Sequence, residues 1–250
     1  MTHELFRQDA YLRECRSTVL AIGEQGIELD QTVFYPLGGG QAGDSGILVL
    51  ADGSELAIAD TRKGKDAEGR FTGSICHQPA AGAEARLANL RLGDVVTARV
   101  DWQRRHRLMR FHTTTHLLCH LVPQLVNGCS ITADYARLDF NMTDPLDKDA
   151  LTAGIARLVA AAHAVSVGSI SDEELEANPA LVKSMSVQPP RGTGRIRTIR
   201  IGEGDLIDYQ PCGGTHVANT AEIGQVVVTK IEKKSATTRR VVLGFASAGT

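Results

Sequence analysis

Two short runs of the 250-residue chain carry side chains that bind borderline-soft metals. The first is His112-Thr-Thr-Thr-His116. Residues i and i+4 share a helix face, so both imidazoles can reach one ion. His120 continues the row one turn further and is read as a core or supporting histidine. A histidine pair on a helix is equally a core or surface feature when it stands alone. The run is not a zinc-peptidase motif, which needs Glu beside the first His as general base, whereas this chain has Thr113. The second run is Cys212-Gly-Gly-Thr-His216. It supplies two more donors at four-residue spacing. Its glycines permit a tight turn that aims both side chains at one point. Alone it is also compatible with a free thiol on a glycine turn. Together the runs offer His112, His116, Cys212 and His216, a full tetrahedral set for one Zn2+ per chain.

The remaining cysteines, Cys15, Cys76, Cys119 and Cys129, have no partner at ligand spacing and are read as core residues. The odd total of five cysteines in the chain and their irregular spacing argue against a disulfide framework and for a reducing, cytoplasmic location. No signal peptide is read at the N-terminus, and no apolar run is long enough to span a membrane.

Charge adds a second clue. Lys plus Arg number 27 and Asp plus Glu 29, for a net charge of −2. This excludes a polycation or an acidic tail protein. Six Phe, four Tyr and one Trp are too few for an aromatic base-stacking platform. The basic residues are nonetheless clustered. Residues 101–120 carry four Arg against one Asp. Arg191, Arg195, Arg197 and Arg200 stand without an acid, and Lys230, Lys233, Lys234, Arg239 and Arg240 face only Glu232. Each run alone is an ordinary solvated face. Three of them flanking one candidate site suggest a polyanionic partner.

The elements that would position these residues fall into two blocks. Before residue 101, short apolar runs (Ile27–Leu29, Ile47–Leu50, Glu55–Ile58, Val95–Val100) are cut by Gly and Asp, with one short helix at Glu84–Leu90. That pattern predicts a small β-barrel or sandwich over 1–100. Over 101–250 helices and strands mix. Helices are predicted at Asp101–Val122, ended by Pro123, at Leu146–Ala164, and after the capping box Ser171–Glu174. Strands are predicted at Cys129–Thr132, Ala136–Phe140, Val165–Ile170, Ile196–Ile201, Leu206–Tyr209, Ile223–Ile231 and Arg240–Phe245. The fold class is therefore α+β.

Three segments, MRFHTTTHLL, GCSITADYARLDF and DYQPCGGTHVANTAEIGQVVVTKIEKK, resemble in order the signatures of the editing domain of alanyl-tRNA synthetases. They are still more similar to the freestanding alanyl-tRNA editing proteins often called AlaX. LDQTVFYPLGGGQAGDSG resembles the glycine-rich segment of the longer freestanding members, with Leu37 where an acid is usual. The resemblance implies a small β-barrel followed by a two-layer α/β editing domain of the alanyl/threonyl-tRNA synthetase type. It implies zinc on the four named ligands and deacylation of tRNA(Ala) mischarged with serine or glycine. No charging activity is expected. The partner it implies is the tRNA(Ala) acceptor end, not DNA or a membrane, with the oligomeric state left open.

It also gives roles to weaker candidates. Gly38, Gly39 and Gly40 form a loop that binds substrate, and Gln41, Ser130 and Thr132 are the polar groups that contact the aminoacyl ester. The basic runs, not the resemblance, supply the expected tRNA contacts Arg195, Arg197, Lys233 and Lys234. Read as residues alone, the glycines make a turn and the two hydroxyls bond locally on a strand. Two competing functions remain: a zinc-stabilised tRNA-binding module without hydrolytic activity, and a zinc hydrolase of small esters or peptides, which would not need three basic runs.

Overall fold

The computed structural model describes residues 1–189, 192 and 194–246; Arg191 lies outside them. It is a mixed α/β structure made mostly of strands. The chain divides into two compact units, 1–38 with 42–106, and 39–41 with 107–250.

The first unit holds β1 (His3–Glu4), β2 (Glu14–Gly23), β3 (Gly26–Leu29), β4 (Gln31–Thr32), β5 (Gly46–Val49), β6 (Glu55–Lys65), β7 (Phe71–Pro79), α1 (Glu84–Leu87) and β8 (Val95–Val100). Six strands pair in the closed cycle β2-β3-β7-β6-β5-β8, which leaves no free edge among them. The interior is apolar, built from Val19, Ile27, Leu29, Phe34, Leu48, Leu56, Ile58, Val96 and Ala98. Sequence patterning did not find β2 or β7. β2 mixes Glu, Cys, Arg, Ser and Thr with its apolar residues and β7 carries Thr, Ser, Cys, His and Gln, and β2 buries only Ser17 and Val19 among its ten residues. Barrel closure supplies their pairing where local apolar content does not.

Two buried polar groups tie this unit together. Arg105 is fully buried and donates through Nε to Asp44 Oδ2 at 2.9 Å, with a second, short contact through Nη2. It also donates to the carbonyls of Ala10 and Val33. One guanidinium thus holds three separate stretches of chain. Removing one partner of such a pair costs about 3–5 kcal/mol, because the other charge is left buried. His77 is likewise fully buried. Its Nδ1 donates to Ile27 O at 2.9 Å, and its Nε2 accepts from Thr32 Oγ1 at 2.8 Å.

α2 (Trp102–Leu121) begins in the first unit and continues in the second. It is followed by β9 (Val126–Ile131), β10 (Ala136–Asn141), α3 (Lys148–Ala160), β11 (Val165–Ile170), α4 (Asp172–Ala177), β12 (Ile196–Ile201), β13 (Asp208–Pro211), β14 (Val226–Ser235) and β15 (Thr238–Phe245). These strands make two antiparallel sheets, β14-β15-β10-β9 and β11-β12-β13. α3 packs on β14, and its Gly154 leaves room for Leu121 of α2.

Several boundaries move inward from the sequence reading. Asp147 caps α3 at 148 by accepting from the amides of Asp149 and Ala150. Ala162, with φ 52°, sits in the left-handed region just past the helix end. Ile223 belongs to a 3₁₀ turn closed by an Asn219/Glu222 capping box, so β14 starts only at Val226. α4 carries the Ser171/Glu174 box as predicted. Among the described residues no helix is long and apolar enough to cross a membrane.

Burial holds the His77 imidazole at about 4, against the ordinary 6.5. An unfolded histidine therefore takes up its proton first as pH falls. The stability this group confers is complete above about pH 6.5 and lost as pH drops through about 4, a change of about 3 kcal/mol. Urea unfolding between pH 7 and pH 4 should show this component of the slope in the parent and lack it in His77→Gln.

Candidate metal centre

The four predicted donors come together. One ligand atom from each of His112, His116, Cys212 and His216 lies within 4.8 Å of the other three. His112 and His116 are on the buried face of α2, and Cys212 and His216 flank the loop that leaves β13. Cys212 Sγ is 3.4 Å from His112 Nε2 and 3.3 Å from His216 Nε2. Zinc bound at ~2.0–2.1 Å to nitrogen and ~2.3 Å to sulfur sets a tetrahedral edge of about 3.5 Å. The donor set and its spacing fit such an ion.

The histidines are aimed from behind. His112 Nδ1 is 2.7 Å from Gln41 Oε1, His116 Nδ1 is 2.7 Å from Asp208 Oδ2, and His216 Nδ1 is 3.2 Å from Thr113 Oγ1. Each of these contacts engages Nδ1 and leaves Nε2 for the shared point. The ring centroids of His112 and His116 lie 4.2 and 4.6 Å from that of His216. Gly214 completes the cradle. A Cβ there would sit 2.1 Å from His112 Cε1 and 2.8 Å from Gln41 Oε1, so only glycine fits.

The electrostatics follow. Burial alone would raise the Cys212 thiol. The charges of His112 and His216, with hydrogen bonds from His112 and His116, instead hold it well below its ordinary value. Burial and the His112 charge push the His216 imidazole well down. Burial would also lower His116, but its hydrogen bonds to Asp208 and Cys212 lift it to about 9. Asp208 has the reciprocal shift. Burial opposes its ionisation, yet the bond to His116 and the charges of His116 and Lys183 bring it to about 2. Lys183 forms a short ion pair with Asp208 Oδ1, and Gln210 Nε2 donates to Asp208 Oδ2 at 2.8 Å. Burial raises Cys119 and Cys129 to about 12, so neither thiol resembles Cys212.

Other sequence candidates have different jobs. Gln41 is fully buried and committed: Oε1 also accepts from Thr215 N at 3.1 Å, and Nε2 donates to Thr215 Oγ1 at 2.8 Å. It orients His112. Gly39 and Gly40 have φ 58° and 84°. Gly40 O accepts from Ile131 N at 2.8 Å, and a Cβ on Gly40 would be 2.8 Å from Cys129 Sγ. The glycines therefore let this segment lie against β9. Gly38 belongs to the first unit, where its carbonyl accepts from Tyr35 Oη.

Ser130 and Thr132 do not share a strand face. The strand ends at Ile131, and Thr132 Oγ1 closes the following turn by donating to Tyr135 O and accepting from Tyr135 N. Ser130 follows Cys129, which faces Gly40, so it points to the opposite side of β9. His120 is exposed and outside the cluster.

The basic runs are also partly internal. Arg197 donates to Cys212 O at 2.7 Å and Gly214 O at 3.0 Å, holding the ligand loop. Arg195 donates to Ser169 Oγ, and Arg239 is buried on backbone carbonyls. Arg240 pairs with Asp139, and Lys230 with Glu232. Lys233 and Lys234 stay exposed beside the turn that joins β14 to β15. Asp208 and Lys183 were missed in the sequence, since a lone acid and a lone base 25 residues apart carry no periodic signal.

Comparison with known proteins bears on what this centre serves. A family model described as "Threonyl and Alanyl tRNA synthetase second additional domain" matches residues 196–242, and "tRNA synthetases class II (A)" matches 7–104. The alanyl-tRNA editing protein AlaX-M of Saccharolobus solfataricus is 32% identical over 245 residues, 96% of this chain and 98% of the relative. That of Methanosarcina barkeri is 33% identical over 250 residues, again 96% and 98%. This chain belongs to the AlaX-M family. An alanine–tRNA ligase of Saccharolobus islandicus is 30% identical over 246 residues, but the match covers 93% of this chain and only 25% of the ligase.

Losing a carboxylate behind a metal-binding histidine typically weakens metal affinity about 10–100-fold. Asp208→Asn should do so here, read by competition with a chromophoric chelator. Arg197→Gln should lower affinity in the same assay by loosening the Cys212 loop.

Proposed function

We propose that this AlaX-M protein is a trans-editing deacylase. It hydrolyses the ester of mischarged tRNA(Ala), with seryl-tRNA(Ala) as main substrate and glycyl-tRNA(Ala) as the second, and does not aminoacylate. The observation that carries the reading is the buried His112/His116/Cys212/His216 centre, with every histidine held at Nδ1, in a chain whose relatives are named alanyl-tRNA editing proteins.

Zn2+ is the ion this set of donors suits, and when bound it supplies a positive centre that polarises or positions the aminoacyl ester. The chain's own part is orientation. Gln41, Asp208 and Thr113 fix the imidazoles, and Arg197 and Gly214 fix the loop carrying Cys212 and His216. Cys212 is the one donor of the four that is only half-buried, so in this reading the substrate approaches from its side. Thr132 and Gln41 act in this reading through the shape of the turn and the placing of His112, because their polar groups are already engaged.

Serine differs from alanine by one hydroxyl. An apolar pocket separates such a pair by about 10²-fold, whereas a site that hydrogen-bonds the hydroxyl reaches about 10⁴-fold. Single-turnover deacylation of seryl-, glycyl- and alanyl-tRNA(Ala) should show the first two cleaved at least about 10²-fold faster than the third. Cys212→Ala and His116→Ala should abolish both bound zinc and cleavage. Equal rates on seryl- and alanyl-tRNA(Ala) would overturn the reading. The second reading is a binding module, favoured by a full set of four protein ligands, which is typical of structural zinc. It predicts tRNA binding with the ester left intact.

A further inference from the structure

Most arginines that reach a partner side chain here reach a carboxylate: Arg105 meets Asp44, Arg62 meets Asp60, Arg70 meets Asp66, and Arg240 meets Asp139. Arg107 and Arg110 of α2 do not. They stand three residues apart, on neighbouring turns of one helix face. Their guanidinium carbons lie 4.4 and 4.1 Å from the centre of the Phe245 ring, so two cations share one aromatic ring. Phe245 is itself fixed against Phe111, with ring centroids 4.3 Å apart.

Each arginine is pinned at one atom only. Arg107 Nε donates to Ala133 O, and Arg110 Nε donates to Ile223 O, both at 2.7 Å. Gly224 gives Arg110 room, since a Cβ there would fall 2.9 Å from its Nη2. Among the described residues the terminal amino groups of both arginines have no hydrogen-bond partner and neither charge meets a carboxylate. Burial and the neighbouring Arg107 charge pull Arg110 below its ordinary value, as two cations held together without an anion require.

The pair is pre-ordered and electrostatically incomplete. Ring and carbonyl restrict each side chain, so little rotamer freedom remains to be lost on binding. Both half-buried forks keep amino groups that can donate to a tetrahedral oxyanion. We infer that Arg107 and Arg110, braced on Phe245, form a binding site for one backbone phosphodiester of the substrate RNA. This rests on the reading that the substrate is a tRNA.

The site lies away from the chemistry. At about 100° per residue, His112 and His116 are about 140–180° round α2 from Arg107. The phosphate site and the metal centre therefore use opposite faces of one helix. Binding energy from the pair is equal in ground and transition states, so it acts on affinity and not on the cleavage step.

The test measures binding of deacylated tRNA(Ala) across a salt series, and single-turnover cleavage of seryl-tRNA(Ala) at saturating protein. Arg107→Gln with Arg110→Gln should weaken binding about fivefold to tenfold at 0.1 M salt and reduce the steepness of log affinity against log salt by about 0.7–0.9. The saturated cleavage rate and zinc content should match the parent. Arg62→Gln with Arg70→Gln removes the same charge from carboxylate-paired positions and should change neither affinity nor steepness. Phe245→Leu keeps both charges without the ring and should give an intermediate loss. If the double variant fails to fold, Arg107→Gln alone is read in the same way. A parent that binds tRNA while its Arg107/Arg110 variant binds with unchanged affinity and steepness overturns the phosphate site alone. A parent that neither binds nor cleaves overturns it together with the editing reading.

Discussion

Three imidazoles and a thiol turned toward one point inside a protein make an unfavourable arrangement unless each ring is held by its far nitrogen. Gln41, Asp208 and Thr113 supply that hold for His112, His116 and His216. The three supports come from a glycine-rich segment, a sheet strand and the ligand helix itself. The architecture of the second unit can be read as the means of bringing them behind the rings. β13 must pair with β12 for Asp208 to meet His116, and residues 39–41 must lie beside β9 for Gln41 to reach His112. Asp208 would itself be a costly buried charge without Lys183 and Gln210, so the chain of dependence ends only at the half-buried lysine.

The arginines divide by what they touch. Arg105 organises the first unit from inside, and Arg197 secures the metal-ligand loop. Both came from runs whose clustering suggested a polyanion. Charge density along a sequence therefore overstates the surface available to RNA, because guanidinium groups are well suited to holding backbone carbonyls. What separates a structural arginine from one available to a ligand is whether its terminal amino groups have a partner, which only the folded chain shows.

Much of the candidate centre was legible because it rests on short-range geometry. His112 and His116 announce themselves through a four-residue spacing on a helix marked by apolar periodicity and a following proline. Cys212 and His216 do so through a glycine turn. The supports were less legible. Gln41 drew notice for its glycines and was given a substrate contact, yet its amide is spent on His112 and Thr215. Thr132 looked like a strand residue because one turn hydroxyl has no distinguishing pattern. β2 and β7 escaped notice because a barrel strand needs apolar residues on one face only and tolerates polar ones even there.

The segment 39–41 sits in sequence between two stretches of the first unit and yet belongs to the second. The two units are therefore interleaved modules and cannot be parted by a single cut. A chain starting at residue 107 would hold all four metal donors and both sheets, but His112 would lack its amide partner and Ile131 its bridge to Gly40. Any shortened or fused descendant of this architecture has to carry a replacement for that glutamine or accept an unanchored imidazole. Modularity here is limited by three residues of loop.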